Sequence, residues 1–241
     1  MPIKLHAFGE AWGLADASPF CLKLMSFLRE CEIAYEVEPF DFRRSFRRAP
    51  KGKIPYIEDE NGTLIGDSSL IIARLSQRRG INLDAPLDDR QRGIALAMRR
   101  MMDEHLYWIG VYARWIDEPG FSITRDTLFA SVPASLRWLI AIPARRRVRR
   151  ALHQHGVGRH QRDEIYALGA ADLQALSRLL GEDVFFFGLD KPSLVDLWAH
   201  AFLAEIIIPP LESPLKQTAL GMNNLVGHCQ RIQDRLYSRQ G

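Results

Sequence analysis

The sequence predicts a small α/β unit over residues 1–80 joined to an all-helical unit over residues 88–241. Strand-like alternation and turn-forming pairs are confined to the first part, whereas apolar residues recur with helical spacing after the linker that ends at Pro86-Leu87-Asp88-Asp89. A chain of 241 residues is long enough for one large or two modest domains. No internal repeat or low-complexity tract interrupts this order.

Each element has its own signal. Residues 3–8 alternate as a strand does, and a loop over residues 9–17 follows. Ser18-Pro19 then has the form of a helix start, a hydroxyl N-cap followed by proline at the first helical position. Behind it Cys21, Leu24, Met25 and Leu28 share one apolar face. Residues 35–40 read as a second strand and residues 43–53 as a turn-rich, basic crossover. A hairpin is expected around Glu60-Asn61-Gly62, between residues 56–58 and 63–65, and Asp67-Ser68-Ser69 caps a helix running to about Arg79.

In the second part Ile94, Met98, Met101, His105, Ile109, Tyr112 and Ile116 form the stripe of one long helix. Further helices are predicted over residues 163–180, 193–208 and 223–239, and shorter, partly helical pieces over residues 121–162.

Composition excludes several classes. Hydrophobic residues at 47% and charged residues at 25% are ordinary globular values and argue against disorder. A net charge of +3 is too small for a dedicated nucleic-acid binder. That balance conceals a local excess: residues 125–162 hold nine arginines and one carboxylate, Asp126. Three cysteines, Cys21, Cys31 and Cys229, are an odd, sparse set that fits a reducing, cytoplasmic setting. The opening residues lack a signal-peptide core, and the apolar stretch 128–142 is broken by Pro133 and Arg137.

Ser18-Pro19-Phe20-Cys21 is the strongest candidate site. A helix N-terminus offers free N–H groups and the positive end of the dipole, which stabilise an anion such as a thiolate. Strand, loop, Ser-Pro-Phe-Cys and helix follow the arrangement of a thioredoxin-type Cys-x-x-Cys motif in which serine replaces the exposed first cysteine. Serine forms no disulfide, but its hydroxyl can donate to a bound thiolate. The plainer alternatives are a Ser18 that only caps and a Cys21 that only fills the core.

Lys53-Ile54-Pro55-Tyr56 is the second candidate. A cis Ile54–Pro55 bond would expose the Ile54 backbone for pairing with an extended peptide. Asp67 and Ser68, at a helix N-terminus, offer N–H groups and a hydroxyl to a carboxylate and an acid to an ammonium. Together these suit a small zwitterionic thiol peptide; an ordinary turn proline and an ordinary cap are the alternatives.

This order of motifs resembles the N-terminal domain of the glutathione S-transferase superfamily, a thioredoxin-like domain followed there by an all-α one. In the second part, Phe185-Phe186-Phe187-Gly188 followed by Lys191-Pro192-Ser193-Leu194-Val195-Asp196 resembles that superfamily's capping-box helix. Together with Phe185-Phe-Phe-Gly188, Ser18-Pro-Phe-Cys-Leu-Lys23, Ala49-Pro-Lys-Gly-Lys-Ile-Pro55, Gly156-Val-Gly-Arg-His160 and Glu164-Ile-Tyr-Ala-Leu-Gly169 resemble the failed-axon-connections group, relatives of metaxin.

The resemblance implies that glutathione is a co-substrate whose sulfur faces Ser18. Ile54, after Lys53 and before Pro55, would pair with its cysteinyl backbone, Asp67 and Ser68 would hold its γ-glutamyl end, and Lys53 would reach the glycyl carboxylate. It implies transfer of the thiolate to a small apolar electrophile, by a homodimer, without a metal. A non-catalytic adaptor or membrane-associated protein of the metaxin type is the alternative, and thiol transfer through Cys21 is a third.

The arginine run over residues 145–150 would either meet anionic lipid head groups or form a solvated face paired with Asp163 and Glu164. His153, His155 and His160 lack a ligand rhythm for zinc, and Gly156-Val157-Gly158 lacks the strand and third glycine of a dinucleotide site. His105 reads as a hydrogen-bonded interior residue, and Trp12, Tyr107, Trp108 and Trp115 are candidate aromatic walls.

Overall fold

A four-stranded sheet in the order β2-β1-β3-β4 organises the first part of the chain. The computed structural model describes residues 2–238. Strand β1 (Ile3–His6) pairs in parallel with β2 (Tyr35–Glu38) and antiparallel with β3 (Tyr56–Glu58), which pairs antiparallel with β4 (Leu64–Gly66). Helix α1 (Pro19–Glu30) connects the parallel pair, and α3 (Ser68–Arg79) follows the hairpin. The predicted α/β unit is thus present, with one addition. The basic crossover contains a short helix, α2 (Phe42–Arg48), because the Asp41 carboxylate accepts the Arg44 N–H at 2.7 Å and starts a turn within the arginines.

The remainder is helical. The predicted long helix is three pieces: α4 (Asp89–Met101), a π turn over Met102–Leu106, and α5 (Tyr107–Trp115). The π turn changes the register, so Met102 and Leu106 are buried in place of the predicted Met101 and His105, which are half-exposed. It also turns Asp103 into the interior. Then come α6 (Glu118–Leu128) and α7 (Ala134–His155), where shorter pieces were expected.

Helix α7 runs unbroken for 22 residues with Pro143 inside it. It is held inward by Ala141 and Leu152, both buried, and by Arg145, which donates to the Trp115 and Ile116 carbonyls at 2.9 and 2.7 Å. Helices α8 (Arg162–Leu180), α9 (Leu194–Ile207), α10 (Pro214–Leu220) and α11 (Asn223–Tyr237) complete the chain; α10 had no sequence signal, and the predicted end at Arg239 lies outside the described residues.

The expected capping box forms at α9. Asp196 accepts the Ser193 N–H and hydroxyl at 2.8 and 2.7 Å, the Phe186 N–H at 2.9 Å, and faces His228 Nε2 at 2.9 Å. Ser193, Asp196 and His228 are all fully buried, so this cap also ties three segments of the helical part together.

One buried ion pair joins the two parts. Lys23 of α1 lies 2.6 Å from Asp103 of the π turn, and its ammonium sits 4.3 Å from the Trp198 ring of α9. Trp198 Nε1 donates to the other Asp103 oxygen at 3.2 Å. Burial alone would drive Lys23 toward its neutral form and lowers its pKa; Asp103 partly offsets this.

Removing one partner strands a charge in the interior, so Asp103→Ala should destabilise the fold by about 3–5 kcal/mol. The double variant Lys23→Met with Asp103→Leu should lose far less. Urea unfolding of both checks this, and equal losses would show that packing rather than charge dominates.

Candidate functional site

Sheet register gathers the site. His6 of β1 lies opposite Tyr56 of β3, and Tyr56 lies opposite Gly66 of β4. The segment leaving β1, the segment entering β3 and the segment leaving β4 therefore emerge at one end of the sheet. The first leads to Ser18, the second carries Lys53, Ile54 and Pro55, and the third continues into Asp67 and Ser68. The His6 and Tyr56 rings stack 4.1 Å apart beneath this end.

At the tip of α1, Ser18 occupies the N-cap position with extended backbone, but its hydroxyl makes no capping bond to the helix. Leu22 N–H is the first to bond within the helix, to the Ser18 carbonyl at 2.9 Å. The N–H groups of Phe20 and Cys21 consequently have no side-chain cap, which leaves the dipole end of α1 uncovered by its own sequence. The Ser18 hydroxyl instead faces the Cys21 thiol, and the residue is 9% exposed.

Asp16, which the sequence reading passed over, is the hub of this corner. It is fully buried and accepts the Gly9 N–H at 2.8 Å and the Ser18 N–H at 2.9 Å, and it also bonds to the Cys21 thiol. Burial pushes its pKa up to about 6 despite these donors. Cys21 has no exposed surface, and burial together with the neighbouring Asp16 raises its thiol well above the ordinary range. Both effects oppose a Cys21 thiolate, so the geometry disfavours the nucleophile reading of this residue.

The 9–17 loop is ordered from both sides. Ala11 and Leu14 bridge across Trp12 and Gly13, whose φ values of 55° and 81° suit a tight hairpin turn. Trp12 Nε1 donates to the Thr127 hydroxyl at 3.0 Å. Arg114 of α5 donates to the Ala17 carbonyl at 2.9 Å and to the Glu205 carbonyl at 3.1 Å, pairs with the Glu205 carboxylate, and lies 4.9 Å from the Trp12 ring. Its burial lowers the guanidinium pKa to about 10, still far above neutrality.

Beside the tip lies an apolar cavity of about 50 Å³ lined by Pro19, Tyr107, Val111, Arg114, Phe202 and Leu215, among others. Phe20 meets the Tyr107 ring edge-on at 4.7 Å. Of the predicted aromatic walls, Tyr107 borders this cavity. Trp108 stacks instead on His155 at 4.8 Å, and Trp12 packs against Arg114.

Across the corner, the Ile54–Pro55 bond is cis, the isomer that the peptide-pairing alternative requires, and both residues are buried while Lys53 is exposed. Asp67 is exposed with φ 82° and ψ 115°, a conformation that costs a non-glycine residue roughly 1–3 kcal/mol. Its carboxylate accepts the Ser69 and Leu70 N–H groups at 3.0 and 3.1 Å. Ser68 is buried beside it, its hydroxyl without a partner among the described residues. Ser69, next along, accepts Lys23 Nζ at 3.4 Å, so the inter-part ion pair also steadies this helix start.

His105 is hydrogen-bonded to Asp172 at 2.6 Å, as expected, but it is half-exposed rather than interior. Among the described residues no group of three His, Cys, Asp or Glu side chains stands close enough to hold a metal.

Asp16 gives a pH prediction. Its folded-state pKa lies above its unfolded value, so its stabilising share is present below about pH 4 and is lost as pH rises through about 6. The shift corresponds to roughly 3 kcal/mol. Comparing unfolding free energies of wild type and Asp16→Asn from pH 4 to 8 should show this component in wild type alone; parallel curves would exclude it.

The comparisons with known proteins agree with this architecture. A glutathione S-transferase N-terminal domain family matches residues 19–120, and a glutathione S-transferase C-terminal domain family matches residues 169–232. The chain is 33% identical over 236 residues to an isoprene-epoxide–glutathione S-transferase of Rhodococcus sp. (strain AD45), covering 96% of this chain and 98% of that protein. It is 33% identical over 250 residues to Failed axon connections of Drosophila melanogaster, covering 98% of this chain but 58% of that protein. A glutathione S-transferase from Methylobacterium radiotolerans, solved with glutathione sulfonate, superposes with a TM-score of 0.58 at 20% identity over 98% of this chain and 92% of that one. With both terminal domain families matched, and a 33% identical relative covered almost end to end, the chain belongs to the glutathione S-transferase family.

Proposed function

We propose that the protein transfers the thiolate of glutathione to a small apolar electrophile. In this reading residues 1–80 bind glutathione and residues 88–241 supply the wall for the second substrate. The observation that carries it is the convergence, at one sheet end, of an uncapped helix tip, a buried cis-proline turn and a strained Asp67 beside the unpartnered Ser68 hydroxyl. The name of the Rhodococcus relative supports the same chemistry.

Each residue then has a role. The Ile54 backbone pairs with the extended peptide, Lys53 meets the glycyl carboxylate, and Asp67 with Ser68 holds the γ-glutamyl end. The thiol sits at the α1 tip, where the Ser18 hydroxyl and the first-turn N–H groups favour its anion. A free thiol near pKa 8.5 is only a few per cent ionised at neutral pH; lowering it to about 6.5 raises the reactive fraction more than tenfold. Phe20, whose ring meets those of both Tyr107 and Phe202, forms with them the apolar wall beside it. A homodimer would cover Leu70 of α3 and Leu96 of α4, which are 53% and 50% exposed. The three free cysteines fit a cytoplasmic setting.

A second reading, a non-catalytic binding or adaptor protein, draws on one observation. The Ser18 hydroxyl faces Cys21, and the Asp16 carboxylate beside it takes the Ser18 N–H, so an anion already stands near the proposed thiolate position. The similarity to Failed axon connections is compatible with it.

Calorimetric titration with glutathione tests both. The transferase reading expects binding that weakens about tenfold in Ser68→Ala, together with conjugation of an aryl halide. Binding without turnover selects the second reading, and no binding overturns the site. For Ser18→Ala, kcat/KM at pH 7 should fall about tenfold with glutathione affinity unchanged, and the gap should close above about pH 9, where the free thiol ionises unaided. A pH-independent loss would instead mean that Ser18 acts through structure alone.

A further inference from the structure

Helix α7 carries a surface that the glutathione site does not use. Its inward face is Arg137, Ala141, Arg145, Val148 and Leu152, spaced by four, four, three and four residues. The opposite face is Leu136, Leu139, Ile140, Pro143, Arg146, Arg147 and Arg150, also at helical spacing and all exposed. Leu139 is 70% exposed, and Leu136 and Ile140 are 48% and 43% exposed. One outward stripe is thus apolar in its N-terminal half and basic in its C-terminal half.

The charges on this stripe are not neutralised by the protein. Arg137 donates to the Val132 and Ala130 carbonyls and pairs with Asp126, and Arg145 binds two carbonyls and Glu118. Those two arginines are committed to the fold. Arg146, Arg147 and Arg150 have no ion pair or hydrogen-bond partner among the described residues. Nearby carboxylates are already taken: Asp117 and Asp163 by Arg162, Asp126 by Arg125 and Arg137, and Glu118 by Arg145. The expectation that Asp163 and Glu164 would neutralise this run is therefore not met.

Adjacent apolar side chains and unpaired arginines, on a segment of net charge +8 over residues 125–162, match a surface that is apolar at depth and anionic at its rim. We propose that the outer face of α7 docks on an anionic lipid bilayer, with Leu136, Leu139 and Ile140 entering the interfacial region and Arg146, Arg147 and Arg150 meeting lipid phosphates. The contact is peripheral, since no helix among the described residues is long and apolar enough to cross a membrane. It does not depend on the glutathione reading.

Co-sedimentation with vesicles tests it, using pure phosphatidylcholine and a mixture of about 3:1 phosphatidylcholine to phosphatidylglycerol, whose negative surface attracts basic segments. Wild type should bind the anionic vesicles, release with added salt, and ignore the neutral ones. The variant R146Q/R147Q/R150Q should bind about a hundredfold more weakly, at roughly tenfold for each 1.4 kcal/mol and about 1 kcal/mol per arginine. The variant L136S/L139S/I140S should bind at least about tenfold more weakly at equal charge. All these positions are exposed, so both variants should melt with the wild type. Equal binding to neutral vesicles, no binding to anionic ones, or indifference to the serine substitutions would overturn the proposal. So would tight binding to polyglutamate that survives those substitutions, which marks an acidic protein partner. Self-association lost in the serine variant without any vesicle binding marks a second copy and equally overturns it.

Discussion

Antiparallel pairing of β1, β3 and β4 is the constraint from which the candidate site follows. Because His6, Tyr56 and Gly66 stand in one row across three strands, three sequence-distant segments must leave the sheet at the same end. Side-chain alternation makes that row hard to shift, since a slip of one residue would expose Leu5, Ile57 and Ile65, all buried. The sheet places the α1 tip, the cis-proline turn and the α3 start together before any ligand enters. The helical part then meets this corner through α5, whose Arg114 and Tyr107 approach the loop and the helix tip.

Electrostatics at the corner run in opposing directions. The α1 dipole and its uncapped N–H groups favour an anion, while the buried Asp16 carboxylate already supplies one. Arg114, half-buried and charged, bonds to the Ala17 carbonyl of the same loop and contributes compensating positive potential. Asp16 thereby organises the loop through Gly9 and Ser18 at the expense of the potential available to a thiolate. The Lys23–Asp103 pair acts further along α1, where it orients the helix against α9 and, through Ser69, against α3.

Much of the architecture was legible because it rests on local signals. Ser18-Pro19, Asp67-Ser68 and Ser193 through Asp196 each mark a helix start, and the alternating strands stand out against the helical second part. The candidate residues of the first part were legible for the same reason, as all sit at caps or beside Pro55. What escaped depends on contacts distant in sequence. Asp16 looks like an ordinary loop acid, and Arg114 like one arginine among many; their burial comes from the packing of α5 over the loop. The 22-residue length of α7 was hidden by Pro143, which breaks periodicity on paper but sits on the exposed side of the helix. Ser18 was expected to cap α1, but the buried Asp16 carboxylate takes its backbone N–H while its hydroxyl turns to Cys21.

The π turn over Met102–Leu106 has a consequence for how the helical part meets both of its neighbours. One additional residue in a helical turn rotates everything beyond it by about 100° around the axis. Helix α4 can thus present Ala95 and Met98 toward α9, while α5, on nearly the same line, presents Ile109 and Ala113 in another direction, toward α6 and α8. The bulge is a joint that lets a single rod serve two walls, and its inward-turned Asp103 is the pin.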